Sequence, residues 1–527
     1  MKTKTKWLCL LLTVCMAVSG LLLSVQAVPE AEVRYSRDGG ATWTNSTLTD
    51  AIWNNLMQDN VIIELLKNVT LDDGYGMTCG GPNKTLTIDG KGFTVKRGEN
   101  TSVFYTIDQA GATVILKDIT FDGGAVWNGE DPASRTDATG ALGGNCYFFT
   151  VSGGASLILE DGAVLQNNNL GNAFYGAAVN LDAGGKLTMK PGAAICNNAA
   201  QTGGAVCLDA GASFLMEGGS ISGNYAYNGG GAVFAGGSFT MKNGEICGNA
   251  SGNNGGGVCV SGGSFTLENG KIHENKSNVG GGGVTLLSQG SSALLQGGEI
   301  SGNTIDGTMG GGILVNNGTL SVKGTAVVSG NKAKENAVSN IYLGEGKTIT
   351  VAGVLEDGAQ MGITMKTPGV FTAGWSAYQA ETVKLSDFFS SDNSTYGVWK
   401  TAEGEAALHE HQTELRNDRK ETCGADGYTG DAVCTLCGEV ITSGSKIPAA
   451  GAHSFGQWQT VKEATAAEAG LQERVCSVCG AKETAEIPQK ADSTQSGDVG
   501  SVWMLAVLGG SVLLAGALAG RKRKRAL

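Results

Sequence analysis

Gly255-Gly256-Gly257-Val258-Cys259-Val260-Ser261-Gly262-Gly263-Ser264-Phe265-Thr266-Leu267-Glu268-Asn269-Gly270-Lys271-Ile272-His273-Glu274-Asn275 decides how this chain folds. A short apolar run, Val258 to Val260, follows a glycine cluster. Phe265-Thr266-Leu267-Glu268 then alternates with period two, as a strand with one buried face does. Finally, Ile272 is followed three residues later by Asn275. That last pattern recurs at Val164/Asn167, Ile195/Asn198, Ile221/Asn224, Ile246/Asn249, Ile300/Asn303 and Val328/Asn331. With Asn275 included, successive asparagines stand 31, 26, 25, 26, 28 and 28 residues apart. A period of this length signals a solenoid. Glycine pairs inside every repeat exclude helical repeats, whose interiors they would break. The remaining reading is all-β: each repeat is one coil of a right-handed parallel β-helix.

Stacking coils about 4.8 Å apart sets equivalent residues above one another. Leu187, Phe214, Phe239 and Phe265 then form one inward ladder, Met189, Met216, Met241 and Leu267 a second, and Ile195 through Val328 a third. The asparagines should form their own ladder at a turn, bonding to each other and to the turn backbone. Outward, Glu160, Lys190, Glu217, Lys242, Glu268, Gln296 and Lys323 mostly alternate in sign, as do Glu245, Lys271 and Glu299. Such alternation suits register fixing by cross-strand pairs, at about 0.2–1 kcal/mol each. Cys196 with Cys247, and Cys207 with Cys259, fall at equivalent positions two coils apart, too far for a disulfide.

The ends read as export and anchoring signals. Lys2, Lys4 and Lys6 precede an apolar run closing on Val25-Gln26-Ala27, so residues 1–27 read as a signal peptide. Residues 499–520 are apolar and run into Arg521-Lys522-Arg523-Lys524-Arg525, the pattern of a transmembrane helix followed by a basic cytoplasmic tail, 521–527. Between them, residues 28–69 are expected to cap the first coil, with an amphipathic helix over Leu48 to Leu66. Residues 70–400 should hold the β-helix, with Phe371 to Trp399 closing its far end. Residues 409–488 form a cysteine-rich module and 489–498 a linker. Net charge is −12, and setting aside the three leading lysines and five tail cations leaves −20 for residues 28–498. So acidic an exterior argues against nucleic acid as a partner. Glycine reaches 84 of 527 residues against 7 prolines, yet 41% of the chain is hydrophobic, which excludes both collagen and disorder.

Gly263-Ser264-Phe265-Thr266-Leu267-Glu268-Asn269-Gly270 and Gly298-Glu299-Ile300-Ser301-Gly302-Asn303 resemble the pectin-lyase-like β-helix proteins, and within them the adhesin-like surface proteins of Gram-positive anaerobes. The resemblance covers roughly residues 60–400 and is specific for fold rather than activity. Enzymes of that fold, it implies, use calcium-binding carboxylates with a basic residue, or grouped aspartates. The best pair for the latter is Asp182 and Asp209, 27 residues apart after equivalent strands. Ser493-Thr494-Gln495-Ser496-Gly497-Asp498 resembles a sortase signal in degenerate form, with Thr494 where proline and Ser496 where threonine should stand. Wall attachment through it, or membrane retention, would leave the body extracellular.

The module carries Cys423, Cys434-Thr435-Leu436-Cys437-Gly438, His453 and Cys476-Ser477-Val478-Cys479-Gly480 in two related repeats of about 40 residues. It resembles the small Cys-rich repeats near the wall end of clostridial-type surface proteins. Its Cys-x-x-Cys-Gly turns suit thiolates approaching a tetrahedral structural zinc, with disulfides the alternative. Thr465 occupies the place of Cys423 in the second repeat, leaving that repeat short of ligands unless Cys434, Cys437, Cys476 and Cys479 share one metal, with Cys423 and His453 as further candidates. His273, His409, His411 and His453 show no catalytic-triad or metalloprotease spacing. The expected function is a surface-anchored adhesin-like β-helix binding extracellular glycans or surface proteins, not an enzyme. A surface polysaccharide lyase or glycoside hydrolase working through Asp182 and Asp209 is the alternative, and a surface-layer component a third.

Overall fold

The computed structural model describes residues 30–71, 77–98, 105–126, 147–173 and 175–491. The signal peptide, the sortase-like motif and the apolar span at 499–520 lie outside them. Among the described residues no helix is long and apolar enough to cross a membrane. They divide into two compact units, residues 30–414 with 433–439, and residues 415–432 with 440–491.

The first unit is a parallel β-solenoid of about eleven turns. One coil runs through the strands Val233–Ala235, Ser238–Met241, Glu245–Cys247 and Ala250–Ser251. Each pairs in parallel and in register with its counterpart in the next coil, Val258–Val260, Ser264–Leu267, Lys271–His273 and Lys276–Ser277. Alternation follows as expected: Phe239 and Met241 are fully buried, while Ser238 and Thr240 face out. The ladder Phe214, Phe239, Phe265 stacks with ring centroids 4.8 and 5.1 Å apart. The glycine bias has a steric cause at the turns: a Cβ on Gly256 would lie 2.4 Å from the Lys276 carbonyl oxygen and 2.5 Å from that of Gly282 in the next coil.

The asparagine ladder is wholly buried. Asn249 donates from Nδ2 to the carbonyls of Ile221 and Cys247 and to Asn275 Oδ1, and receives both donors of Asn224. Its first member is Asn168 and not Asn167, because Leu165, not Val164, pairs with Ile195. Asn167 instead takes a left-handed turn conformation, φ +57°. The ladder ends on a carboxylate: Asn331 donates to Asn340, and Asn340 donates from its backbone N and Nδ2 to the two oxygens of Asp392 at 2.7 and 2.6 Å. A carboxylate suits that end because it accepts without needing a further acceptor of its own.

Two boundaries differ from expectation. The N-terminal helix spans only Leu48–Trp53, started by Thr47, whose side chain accepts from the Asp50 amide. Val61–Leu65, read as its continuation, is already a parallel rung paired with Thr85–Asp89, so coils begin at Val61 and not near Thr70. The β-branched Val61-Ile62-Ile63 run favours strand over helix. The antiparallel strands Val33–Ser36 and Thr44–Ser46 cover that edge. At the other end, the closing segment adds partial rungs, Thr372–Ala373 and Phe389–Ser391, before the antiparallel pair Tyr396–Lys400 and Ala406–Glu410.

Candidate metal centres

Two Cys-x-x-Cys-Gly turns adopt one conformation. In the first, the Cys434 amide donates to the Glu439 carbonyl at 2.8 Å and the Gly438 amide to the Cys434 carbonyl at 3.0 Å. In the second, Cys476 donates to Ala481 at 2.9 Å and Gly480 to Cys476 at 3.0 Å. Gly438 and Gly480 hold φ of +77° and +73°, a region that disfavours side chains. The turn exposes amides to its own first sulfur, which prepares a thiolate. Against the opposing pull of burial, the Cys437 amide and the His411 ring bring the Cys434 thiol down to about 6. The Cys479 amide, above all, brings Cys476 down to about 5.

The two turns do not share a metal set. In the first unit, Cys434 and Cys437 meet His409 and His411; in the second, Cys476 and Cys479 meet Cys423 and His453. Within each set all four donor atoms lie within 4.8 Å of one another. A tetrahedral zinc with Zn–S near 2.3 Å and Zn–N near 2.0–2.1 Å separates its ligands by about 3.5–3.8 Å. The contacts fit: Cys423 Sγ to Cys476 Sγ is 3.6 Å, His409 Nε2 to Cys434 Sγ 3.4 Å, His411 Nδ1 to Cys437 Sγ 3.7 Å and His453 Nδ1 to Cys479 Sγ 3.3 Å. The same 3.6 Å is far beyond the S–S bond of about 2.05 Å. Either set can therefore bind a metal such as zinc.

The histidines are positioned for the task. His409 lies opposite Gly397 in the closing antiparallel pair and directs Nδ1 at the Gly397 carbonyl, 3.4 Å away, leaving Nε2 to the metal. His411 presents Nδ1 to the cluster, and its Nε2 stands 3.6 Å from the Glu439 carboxylate. Such outer contacts fix a ligand's tautomer and orientation. Gly397 is required beneath them: a Cβ there would come 2.5 Å from His411, 3.0 Å from His409 and 3.0 Å from Cys437. With four protein ligands, each site is of the closed, structural kind.

Sequence reasoning passed over His409 and His411, although a signal existed. His411 precedes Cys434 by 23 residues and Cys437 by 26, and His453 precedes Cys476 and Cys479 by the same intervals. The fourth ligand breaks this repeat. Cys423, from the first sequence repeat, completes the site of the second, and His409 fills the corresponding place in the first. Thr465 therefore leaves neither site deficient.

The other sequence candidates are distributed along the solenoid. Asp182 and Asp209 follow the paired residues Leu181 and Leu208 on consecutive coils. Burial, then the Asp209 charge, pushes the Asp182 carboxyl up, against a hydrogen bond from Asn180 Nδ2 at 2.8 Å. The outward charges pair between coils, Lys190 with Glu160 at 2.9 Å, Lys242 with Glu217 at 4.0 Å and Lys271 with Glu299 at 3.7 Å. Cys196 and Cys247 flank Ser222, and Cys207 and Cys259 flank Phe234, two coils apart as expected. Burial pushes the thiols of Cys207 and Cys259 up to about 12, leaving them unreactive. Compared with known proteins, the chain matches no protein-family model, no curated protein and no solved structure.

Proposed function

We propose that this chain is an adhesin-like surface protein whose solenoid, right-handed as parallel crossovers almost always are, binds extracellular glycans or surface proteins without turning them over. The observation that carries the reading is the outer face of the long sheet. Ser213, Ser238, Ser264, Ser292 and Thr319 form one in-register hydroxyl row, and Thr240 and Thr266 stand in another. The charges beside them largely neutralise one another along their own ladder. A flat hydroxyl array repeating about every 4.8 Å suits an extended repeating ligand, and offers no converging acid and base. In this reading the signal segment exports the chain, and the apolar span or the sortase-like motif anchors it to a Gram-positive cell surface. The metal centres, holding zinc, then stiffen the stretch between solenoid and anchor.

A second reading has one observation in its favour: burial and the neighbouring Asp209 charge lift the Asp182 carboxyl, as a glycosidase general acid requires. One experiment addresses both. The protein is incubated on an array of glycans and matrix proteins, and each retained polysaccharide is assayed for new reducing ends or unsaturated products. Retention without products is expected. Products that vanish in Asp182→Ala or Asp209→Ala would replace the adhesin with the enzyme, and no retention at all would overturn the binding reading.

A further inference from the structure

We propose that Glu245, Cys247 and His273 form a third metal site, open to solvent on the flank of the solenoid, for zinc or another thiophilic divalent cation. Glu245–Cys247 and Lys271–His273 are neighbouring rungs, with Glu245 opposite Lys271 and Cys247 opposite His273. Ile246 and Ile272 between them are fully buried, so the flanking side chains all point outward. The Glu245 carboxylate, the Cys247 sulfur and a His273 ring nitrogen lie within 4.8 Å of one another.

Ion pairing along the ladder leaves this group available. Strict alternation would give Lys271 to Glu245. Instead, the Lys271 ammonium lies 3.7 Å from Glu299 on the following coil, and among the described residues no ion pair reaches Glu245. The Glu274 carboxylate, 4.0 Å from His273 Nδ1, adds a further negative charge beside the group. Both rungs belong to a continuous hydrogen-bonded sheet, so the donors are held by rigid backbone rather than by a loop. Coils to either side place Ser222 and Ser301 in the Cys247/His273 row, so the combination of thiol and imidazole occurs where these two rungs meet.

Glu245, His273 and Glu274 line a shallow cleft of about 280 Å³ with Lys271, Glu299, Ser301 and Gly302. Three protein ligands of mixed type with a free position define an exchangeable site, unlike the closed four-ligand sets. One thiolate and one carboxylate would neutralise the cation.

The test is a titration of the metal-stripped full chain with Co²⁺, following the thiolate charge-transfer absorbance, and with Zn²⁺ against a chromogenic competitor. Three equivalents are expected, the third at least tenfold weaker than the first two. Cys247→Ser and His273→Gln should each abolish the third alone, while Cys196→Ser, in the same row two coils away, should change nothing. A total of two equivalents, or a third that survives both variants, overturns the proposal. Failure of the four-ligand centres would show instead as loss of the tight equivalents, with the Cys247-dependent one remaining.

Discussion

In the solenoid, Phe239 is fully buried between the rings of Phe214 and Phe265, whereas in the second unit the strand Gln459–Lys462 is exposed at all four positions. The same contrast holds for polar groups. Solenoid asparagines bury their amides in a continuous ladder, while the polar side chains of the second unit form surface pairs such as Lys482 with Glu473 and Lys462 with Glu468. Exposed pairs contribute little, about 0–1 kcal/mol each. The buried residues of the second unit are few and include two of its metal ligands, Cys423 and Cys476. A chain segment that buries so little apolar surface needs a different source of order, and bound metal is the one its side chains provide. Repetition stabilises one region, and the other carries a Cys/His set that could supply order by binding a metal.

This contrast can be broken most directly by removing metal. A chelator should unfold the second unit, seen as rapid proteolysis within residues 440–491 and loss of amide protection there, while protection across Val61–Leu343 stays unchanged. Cleavage that spreads equally into the solenoid would show that the two regions do not differ in this way.

A smaller effect is expected inside the ladder. Asn249→Ala deletes a side chain that serves Ile221, Cys247, Asn275 and Asn224. Each buried group left without a partner costs about 1–3 kcal/mol, so denaturant melts of the solenoid should shift to clearly lower midpoint. Metal stoichiometry should be unaffected. Loss of metal in this variant would contradict the separation drawn here.

The smallest effect is electrostatic. Asp182 has its folded pKa raised by burial and by Asp209. Protonation therefore favours the folded state: the contribution is full below the unfolded value, near 4, and is lost as pH rises through the folded value. Asp182→Asn should flatten solenoid stability across that interval and leave it slightly higher at neutral pH. Melts at pH 3.5, 5 and 7 check this, and an unchanged profile would mean that the carboxyl is no more buried than an ordinary surface aspartate.

Much of the solenoid was legible in the sequence because stacking places chemically equivalent residues at near-equal intervals. Phe214, Phe239 and Phe265, or Ile246 and Ile272, declare their neighbours directly. The first coils were harder. Val164/Asn167 and Leu165/Asn168 satisfy the same three-residue spacing, and only pairing with Ile195 selects the second, while Val61–Leu65 follows a short helix and was read as part of it. Asp392 carries no repeat signal at all, since a ladder needs its end group once.

The sequence by itself determined the parallel β-architecture, the inward ladders and the alternation of outward charges, because a fixed coil length converts spacing into contact. It also placed four cysteines in two equivalent Cys-x-x-Cys-Gly turns, since a turn of that kind is local. Only the tertiary structure decided the fourth ligand of each set. His409 reaches Cys434 through its register opposite Gly397 on a closing strand, and Cys423 reaches Cys476 from 53 residues away. Such meetings depend on how strands and turns close in space, and no interval along the chain encodes them.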